Sequence, residues 1–219
     1  MPQGADCGTR HPLRTPALDP VVPPAMSPHP LAVLVSGSGR HLENLAALCA
    51  RGELDARIAL VICDRAGVAA LERAERLGLP LLHLDPERAL DAEAFGERAF
   101  AAIREHGAET VVLAGFLRLL QIPEDYQGRV LNIHPSLLPA FGGKGFYGSR
   151  VHAAVLARGC QVSGCTVHRV DEVFDNGPIL LQRWCTVEPD DTPDSLAARV
   201  FDLELEAYPE AIRRFLAQT

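Results

Sequence analysis

Leu31-Ala-Val-Leu-Val-Ser-Gly-Ser-Gly-Arg-His-Leu42 begins as a continuous apolar run and ends in a glycine-rich turn. The run has the length of a buried strand, and from Leu42 apolar residues recur at Leu45, Ala46 and Leu48 as a helical stripe. Strand, glycine turn and helix form the opening unit of a doubly wound sheet, and the helix N-terminus after the turn is a ready phosphate site. Two readings of the turn are open. A dinucleotide fingerprint would need a third glycine where Leu42 stands, with Asp64 at the end of the next strand as its ribose-binding acid. A turn that holds a single phosphate needs neither and fits better.

Outward from this unit the alternation continues. Strands are expected at Arg57–Cys63, Leu79–Leu84 and Thr110–Leu113, with helices at Val68–Leu77 and Asp91–His106 closed by Gly78 and Gly107. Strands separated by helices imply parallel βαβ units with right-handed crossovers. A helix at Arg150–Ala157, strands at Val162–Val170 and Ile179–Val187, and a helix at Pro193–Ala217 complete the pattern. Thr192 is the expected N-cap of the last helix, and Pro209 is expected to kink it. The fold class is therefore α/β: a Rossmann-like, mostly parallel sheet with helices on both faces, in one domain over residues 31–219. Residues 1–30 hold 8 of the 17 prolines and no apolar period, so they read as a disordered extension. A late true start at Met26, or a presequence, would also account for them; Arg10 and Arg14 against Asp6 and Asp19 fit a transit peptide poorly.

The second informative stretch is Val130-Leu-Asn-Ile-His-Pro-Ser-Leu-Leu-Pro139. Asn132 and His134 lie two positions apart, so on a strand both point to one face while Leu131 and Ile133 take the other. Pro135 cannot donate to a central ladder and should end the strand, which leaves the pair at the C-terminal lip where open α/β sheets bind ligands. An amide beside an imidazole suits a carbonyl oxygen gathering negative charge; a strand cap and a satisfied turn are the plainer alternative. Gly115, at the end of another strand, allows close backbone approach to a ligand or simply helix packing. The glycine-rich stretch 140–148 is expected to be a loop over the site rather than a packing element.

A net charge of −7 gives no whole-molecule attraction for nucleic acid or an anionic membrane. Six scattered cysteines suit a reducing compartment such as the cytoplasm rather than a disulfide framework. Cys160, Cys165 and His168 lack a CxxC pair, and Cys165 and His168 fall on opposite strand faces, so no metal is expected. No run is long enough to span a bilayer.

Five segments in order now carry a resemblance: Ser36–Gly39, Ala114–Leu120, Asn132–Pro139, Gly164–His168 and Asp175–Gln182. From about Leu31 to its end the chain resembles the phosphoribosylglycinamide formyltransferase family, the folate-dependent formyltransferases of purine synthesis. The resemblance implies a catalytic trio of Asn132, His134 and Asp175, with Thr166 and His168 supporting it. It puts the phosphate of glycinamide ribonucleotide at Gly39, Arg40 and His41, its amine near Gly115 and Leu117, and its ribose near Glu204. The co-substrate 10-formyltetrahydrofolate would lie against Arg118, Leu119 and Leu120 and the loop of Val170, Asp171, Phe174 and Asp175. It also implies a cis Leu138–Pro139 bond, no metal, and a monomer or homodimer. Two departures stand out. The family has small polar residues where this chain has Arg40-His41, and a polar residue is often found at the position of Phe201.

The implied reaction fits the residues. The amine attacks the formyl carbon, and Asn132 and a protonated His134 donate to the resulting oxyanion. Asp175 holds the imidazole charged and relays the proton from the amine to the departing folate nitrogen. Formyltetrahydrofolate hydrolases of the same fold carry a regulatory domain and read Asn-Ile-His-His where this chain reads Asn-Ile-His-Pro; methionyl-tRNA formyltransferases carry an added C-terminal domain. A non-catalytic nucleotide-binding module is the remaining alternative, separable by its preference for NAD over glycinamide ribonucleotide.

Overall fold

The computed structural model describes residues 27–85 and 87–218. Of the expected extension, residues 1–26 lie outside the described residues. Seven strands form one sheet: β1 (His29–Val35), β2 (Ala56–Cys63), β3 (Leu81–His83), β4 (Thr110–Leu113), β5 (Val130–His134), β6 (Val162–Arg169) and β7 (Ile179–Thr186). Their spatial order is β3-β2-β1-β4-β5-β6-β7. The first five are parallel, and β6 and β7 extend the sheet antiparallel. The helices are α1 (Arg40–Ala50), α2 (Ala69–Arg76), α3 (Ala92–Glu105), α4 (Ser149–Ala157) and α5 (Pro193–Leu216). This is the α/β class expected, mostly parallel and covered on both faces.

The period of two along β1 divides the core. Leu31, Val33 and Val35 join the cluster that holds residues of α1, α2, α4 and α5, including Leu45, Ala70, Val155 and Tyr208. Ala32 and Leu34 join the opposite cluster, built on Phe95, Ala99, Phe100 and Ile103 of α3. Tyr208 of α5 is fully buried, and its hydroxyl lies 2.9 Å from Leu113 O and 3.0 Å from Leu131 O. It thereby ties the long helix to β4 and β5, the strands that carry Gly115 and Asn132 to the site.

Some boundaries differ from the sequence reading for local reasons. β1 starts at His29, whose ring bonds Thr110 Oγ1 at 2.9 Å. β3 begins only at Leu81, because the Leu79 N–H closes α2 on Ala74 O and Pro80 has no N–H. α5 runs without a break across Pro209, with Thr192 and Ser195 forming a reciprocal cap at its start.

Candidate active site

β1 pairs with β2 on one side and β4 on the other, so the chain reverses its winding direction at β1/β4 and opens a crevice beyond the strand ends. The turn after β1 and the turn after β4 are stitched there: Ser36 N–H donates to Gly115 O at 3.2 Å, and Leu117 N–H donates to Ser36 Oγ at 3.1 Å. Gly115 has φ 75°, a conformation that glycine adopts without strain. Gly39, the N-cap of α1, has φ 73°, and a Cβ there would lie 2.8 Å from Ala70 Cα. It contributes no side chain to the helix, so α1 starts two residues before the expected Leu42 with its first N–H groups uncapped by a side chain.

A cavity of about 700 Å³ occupies the crevice, lined among others by Gly39, Arg40, His41, Gly115, Leu117, Asn132, His134, Phe174, Asp175 and Glu204. Phe141 of the 140–148 loop lies beside this group, while Gly143–Gly148 of the same loop form part of the wall. Arg118, Leu119, Leu120, Val170 and Asp171 do not line the cavity. The Arg118 guanidinium is bonded to Asp85 and to Leu90 O, pinning the segment before α3. Leu120 packs in the α3-side core. Asp171 folds its own loop, accepting from Val173 N and Asn176 Nδ2, both at 2.9 Å. The side chains of Arg118, Leu120 and Asp171 are thus engaged within the protein.

β5 ends at His134, ahead of Pro135, and places Asn132 and His134 on one side as their spacing predicts. The antiparallel register sets Asn132 opposite His168 and His134 opposite Thr166. The Asn132 amide lies 3.1 Å from His168 Nε2 and 3.4 Å from Asp175 Oδ1. His168 Nδ1 lies 2.9 Å from Arg169 O, which can only accept, so the hydrogen is on Nδ1 and Nε2 accepts from Asn132. Flipping Asn132 would set its oxygen against two acceptors, so this network fixes the amide orientation. Burial lowers the His168 pKa, despite the Arg169 carbonyl and Asp175, and so favours this neutral ring.

His134 Nδ1 lies 3.4 Å from Asp175 Oδ2, and its Nε2 lies 2.9 Å from Phe141 O. Both neighbours are acceptors, an arrangement that suits hydrogens on both ring nitrogens. Asp175 has φ 55° and also accepts from Gly143 N–H at 2.9 Å. Burial pushes its carboxyl up, but His134, the Gly143 N–H and His168 outweigh burial and hold it below the usual value. Thr166 Oγ1 accepts from Leu138 N (3.0 Å) and Gln182 Nε2 (2.9 Å) and donates to Ser136 O (2.7 Å). It thus fixes the turn after β5, which contains a cis Leu138–Pro139 bond.

In the same lining, His41 Nε2 is 3.1 Å from Glu204 Oε2, close enough for an ion pair, although the ring nitrogen is not aligned for a hydrogen bond. Arg40 and Phe201, two of the positions that depart from the resemblance, touch each other. Sequence reasoning missed the roles of Phe141, Tyr208 and Ser36, whose contacts depend on backbone groups; the buried His152 in the cavity wall gave no motif signal either. Among the described residues no group of three or more His, Cys, Asp or Glu side chains could hold a metal ion, and no helix is long and apolar enough to cross a membrane.

Residues 30–212 match the family described as Formyl transferase. The phosphoribosylglycinamide formyltransferase of Bacillus subtilis (strain 168) is 35% identical over 187 residues, covering 84% of this chain and 93% of that protein. The chloroplastic phosphoribosylglycinamide formyltransferase of Arabidopsis thaliana is 37% identical over 185 residues, and the match spans 83% of this chain but only 63% of the longer relative. The crystal structure of glycinamide ribonucleotide transformylase 1 from Symbiobacterium toebii aligns with a TM-score of 0.80 at 40% identity, covering 86% of this chain and 88% of that one. With the sheet order, the site at its switch point and these likenesses in agreement, the chain belongs to the formyl transferase family.

Proposed function

We propose that the protein transfers the formyl group of 10-formyltetrahydrofolate to the amine of glycinamide ribonucleotide, a step of purine synthesis. The observation that carries this reading is the convergence, in one cavity, of Asn132, His134 and Asp175 with the uncapped start of α1. The phosphate docks on the N–H groups of Arg40 and His41, where the helix start favours an anion. The ribose hydroxyls meet Glu204, and the amine enters beside the backbone of Gly115 and Leu117. The pterin rests against the backbone of Arg118–Leu120 and the 170–175 loop.

The amine nitrogen bonds to the formyl carbon, and the formyl oxygen takes on negative charge. Asn132 keeps one N–H on His168 and turns the other, held on Asp175 only at 3.4 Å, toward that oxygen. His134 supplies the second donor, and for this the formyl oxygen displaces the Phe141 carbonyl from Nε2. The intermediate collapses as the bond from carbon to the folate nitrogen breaks. Asp175 passes the amine proton, through water, to that nitrogen. The products are formylated glycinamide ribonucleotide and tetrahydrofolate, with no covalent enzyme intermediate. The polypeptide acts as a monomer or homodimer in a reducing compartment such as the cytoplasm.

The test is to incubate the protein with both substrates and follow formylated ribonucleotide and tetrahydrofolate together. Equal release of the two, absent when either substrate is omitted, is expected. Formate released at the same rate without the ribonucleotide would indicate a hydrolase instead.

A further inference from the structure

Arg40 opens α1 at the mouth of the cavity, and its guanidinium carbon lies 3.6 Å from the centre of the Phe201 ring. Among the described residues it has no carboxylate or carbonyl partner. Glu204, one turn after Phe201 on the same face of α5, faces His41 instead. The His41 ring packs edge-on against Phe201 at 4.9 Å and against Tyr208 at 6.0 Å, so the aromatic floor is itself braced by the buried core. A guanidinium stacked by its face keeps its N–H edge free, and that edge matches two oxygens of a phosphate. Arg40 therefore combines an unpaired charge, an orientation set by Phe201, and a place on the helix start that already favours anions.

We propose that Arg40, held on Phe201, supplies this chain's charged side-chain contact to the phosphomonoester of the substrate, with Phe201 as its positioning residue. The proposal rests on the reading of the cavity as a site for a sugar phosphate. Backbone N–H groups alone accept many anions; the stacked guanidinium adds a bidentate contact and a fixed distance from the ribose end at Glu204. Removing Arg40 should weaken phosphate recognition without touching the formyl-transfer chemistry, because its side chain rests on Phe201 and not on Asn132, His134 or Asp175. Lysine at this position keeps the charge but lacks the planar face, so it should recover binding only in part.

The full chain is titrated with D-ribose 5-phosphate and with D-ribose, for the unmodified protein and for Arg40→Ala, Arg40→Lys, Phe201→Ala and Phe201→Tyr. Arg40→Ala should weaken ribose 5-phosphate by about 10- to 100-fold, the range for a charge-assisted hydrogen bond, and leave ribose unchanged. Phe201→Ala should lose several-fold, Phe201→Tyr should restore it, and KM for the ribonucleotide should rise in the alanine variants at constant kcat. Arg40 is exposed, so its variants isolate the contact from folding. Arg40→Ala binding ribose 5-phosphate as tightly as the unmodified protein overturns the proposal, as does Phe201→Ala without effect. Ribose 5-phosphate has no amine, so the titration does not depend on formyl transfer. Binding through Arg40 in a protein that fails to formylate glycinamide ribonucleotide overturns the functional reading and supports the phosphate assignment.

Discussion

Asn132 faces His168 across the antiparallel β5–β6 pair, and its amide donates to the ring Nε2 at 3.1 Å. His168 is almost fully buried and turns its other nitrogen to Arg169 O, so it can act on Asn132 only as an acceptor that fixes the amide. Replacing His168 with alanine frees the amide to rotate. The expected result is a fall in kcat of about 10- to 100-fold, the cost of misplacing a reacting group, with substrate affinity retained. Steady-state kinetics and a binding titration on His168→Ala check this; unchanged kcat would remove His168 from the site.

The buried imidazoles set a pH dependence of stability. Burial lowers the pKa of His152 and of His168, and also that of His29, against partial opposition from nearby carboxylates. In the unfolded chain each takes up a proton near 6.5, while the folded chain does so only at lower pH. The unfolded state therefore binds more protons in this window, and stability is complete above 6.5 and is lost as pH falls through the folded values. Each differential proton contributes a slope of at most about 1.4 kcal/mol per pH unit. Urea unfolding at pH 7.5 and 5.5 should give the lower stability at 5.5, with a smaller difference in His152→Gln. Equal stability at both values would contradict the assignment.

Gly142 stands between the two loop residues that contact the trio, and it has no room for a side chain. A Cβ there would lie 2.5 Å from Leu138 Cδ2 and 3.2 Å from Asp175 Cβ. Gly142→Ala must push the loop or Asp175 aside, disturbing both the Phe141 contact to His134 and the Gly143 contact to Asp175. A loss in kcat of about 10-fold or more is expected; Gly142 is not at positive φ, so the loss comes from the close approach and not from backbone strain. Steady-state kinetics on Gly142→Ala beside the unmodified protein decide it, and equal activities would show that the close approach does not matter.

Asp64 is fully buried, and neither carboxylate oxygen has a hydrogen-bond partner; the nearest cation, Arg88, is 3.9 Å away and half exposed. An amide of the same shape carries no charge to desolvate, so Asp64→Asn should stabilise the fold by about 1 kcal/mol or more. Thermal melts report this as a raised midpoint. A lowered midpoint would contradict the assignment of Asp64 as an unsatisfied buried carboxylate.

The strands and helices were legible because their apolar periods are strong, and Asn132 and His134 were legible because a spacing of two fixes their common face. Pro135 announced the end of β5. What the sequence could not convey was pairing across distance. That β6 lies antiparallel beside β5, setting His168 against Asn132, depends on register. The Phe141 carbonyl on His134 is a backbone contact with no residue signature. Arg40 and Phe201 each read as an isolated oddity, and only the packing of α1 against α5 brings them together. Arg118 was legible as part of a motif, yet its side chain serves Asp85 rather than the cavity.

The central claim is that Asn132 and His134 stabilise an oxyanion formed in direct transfer of the formyl group. Single-turnover formation of formylated glycinamide ribonucleotide, with both substrates saturating, tests it in the unmodified protein and in Asn132→Ala and His134→Ala. Each variant is expected to lose about 10²- to 10³-fold in the rate, with dissociation constants for both substrates within a few-fold of the unmodified values. Turnover near the unmodified rate in either variant, or a loss that lies entirely in substrate binding, would contradict it.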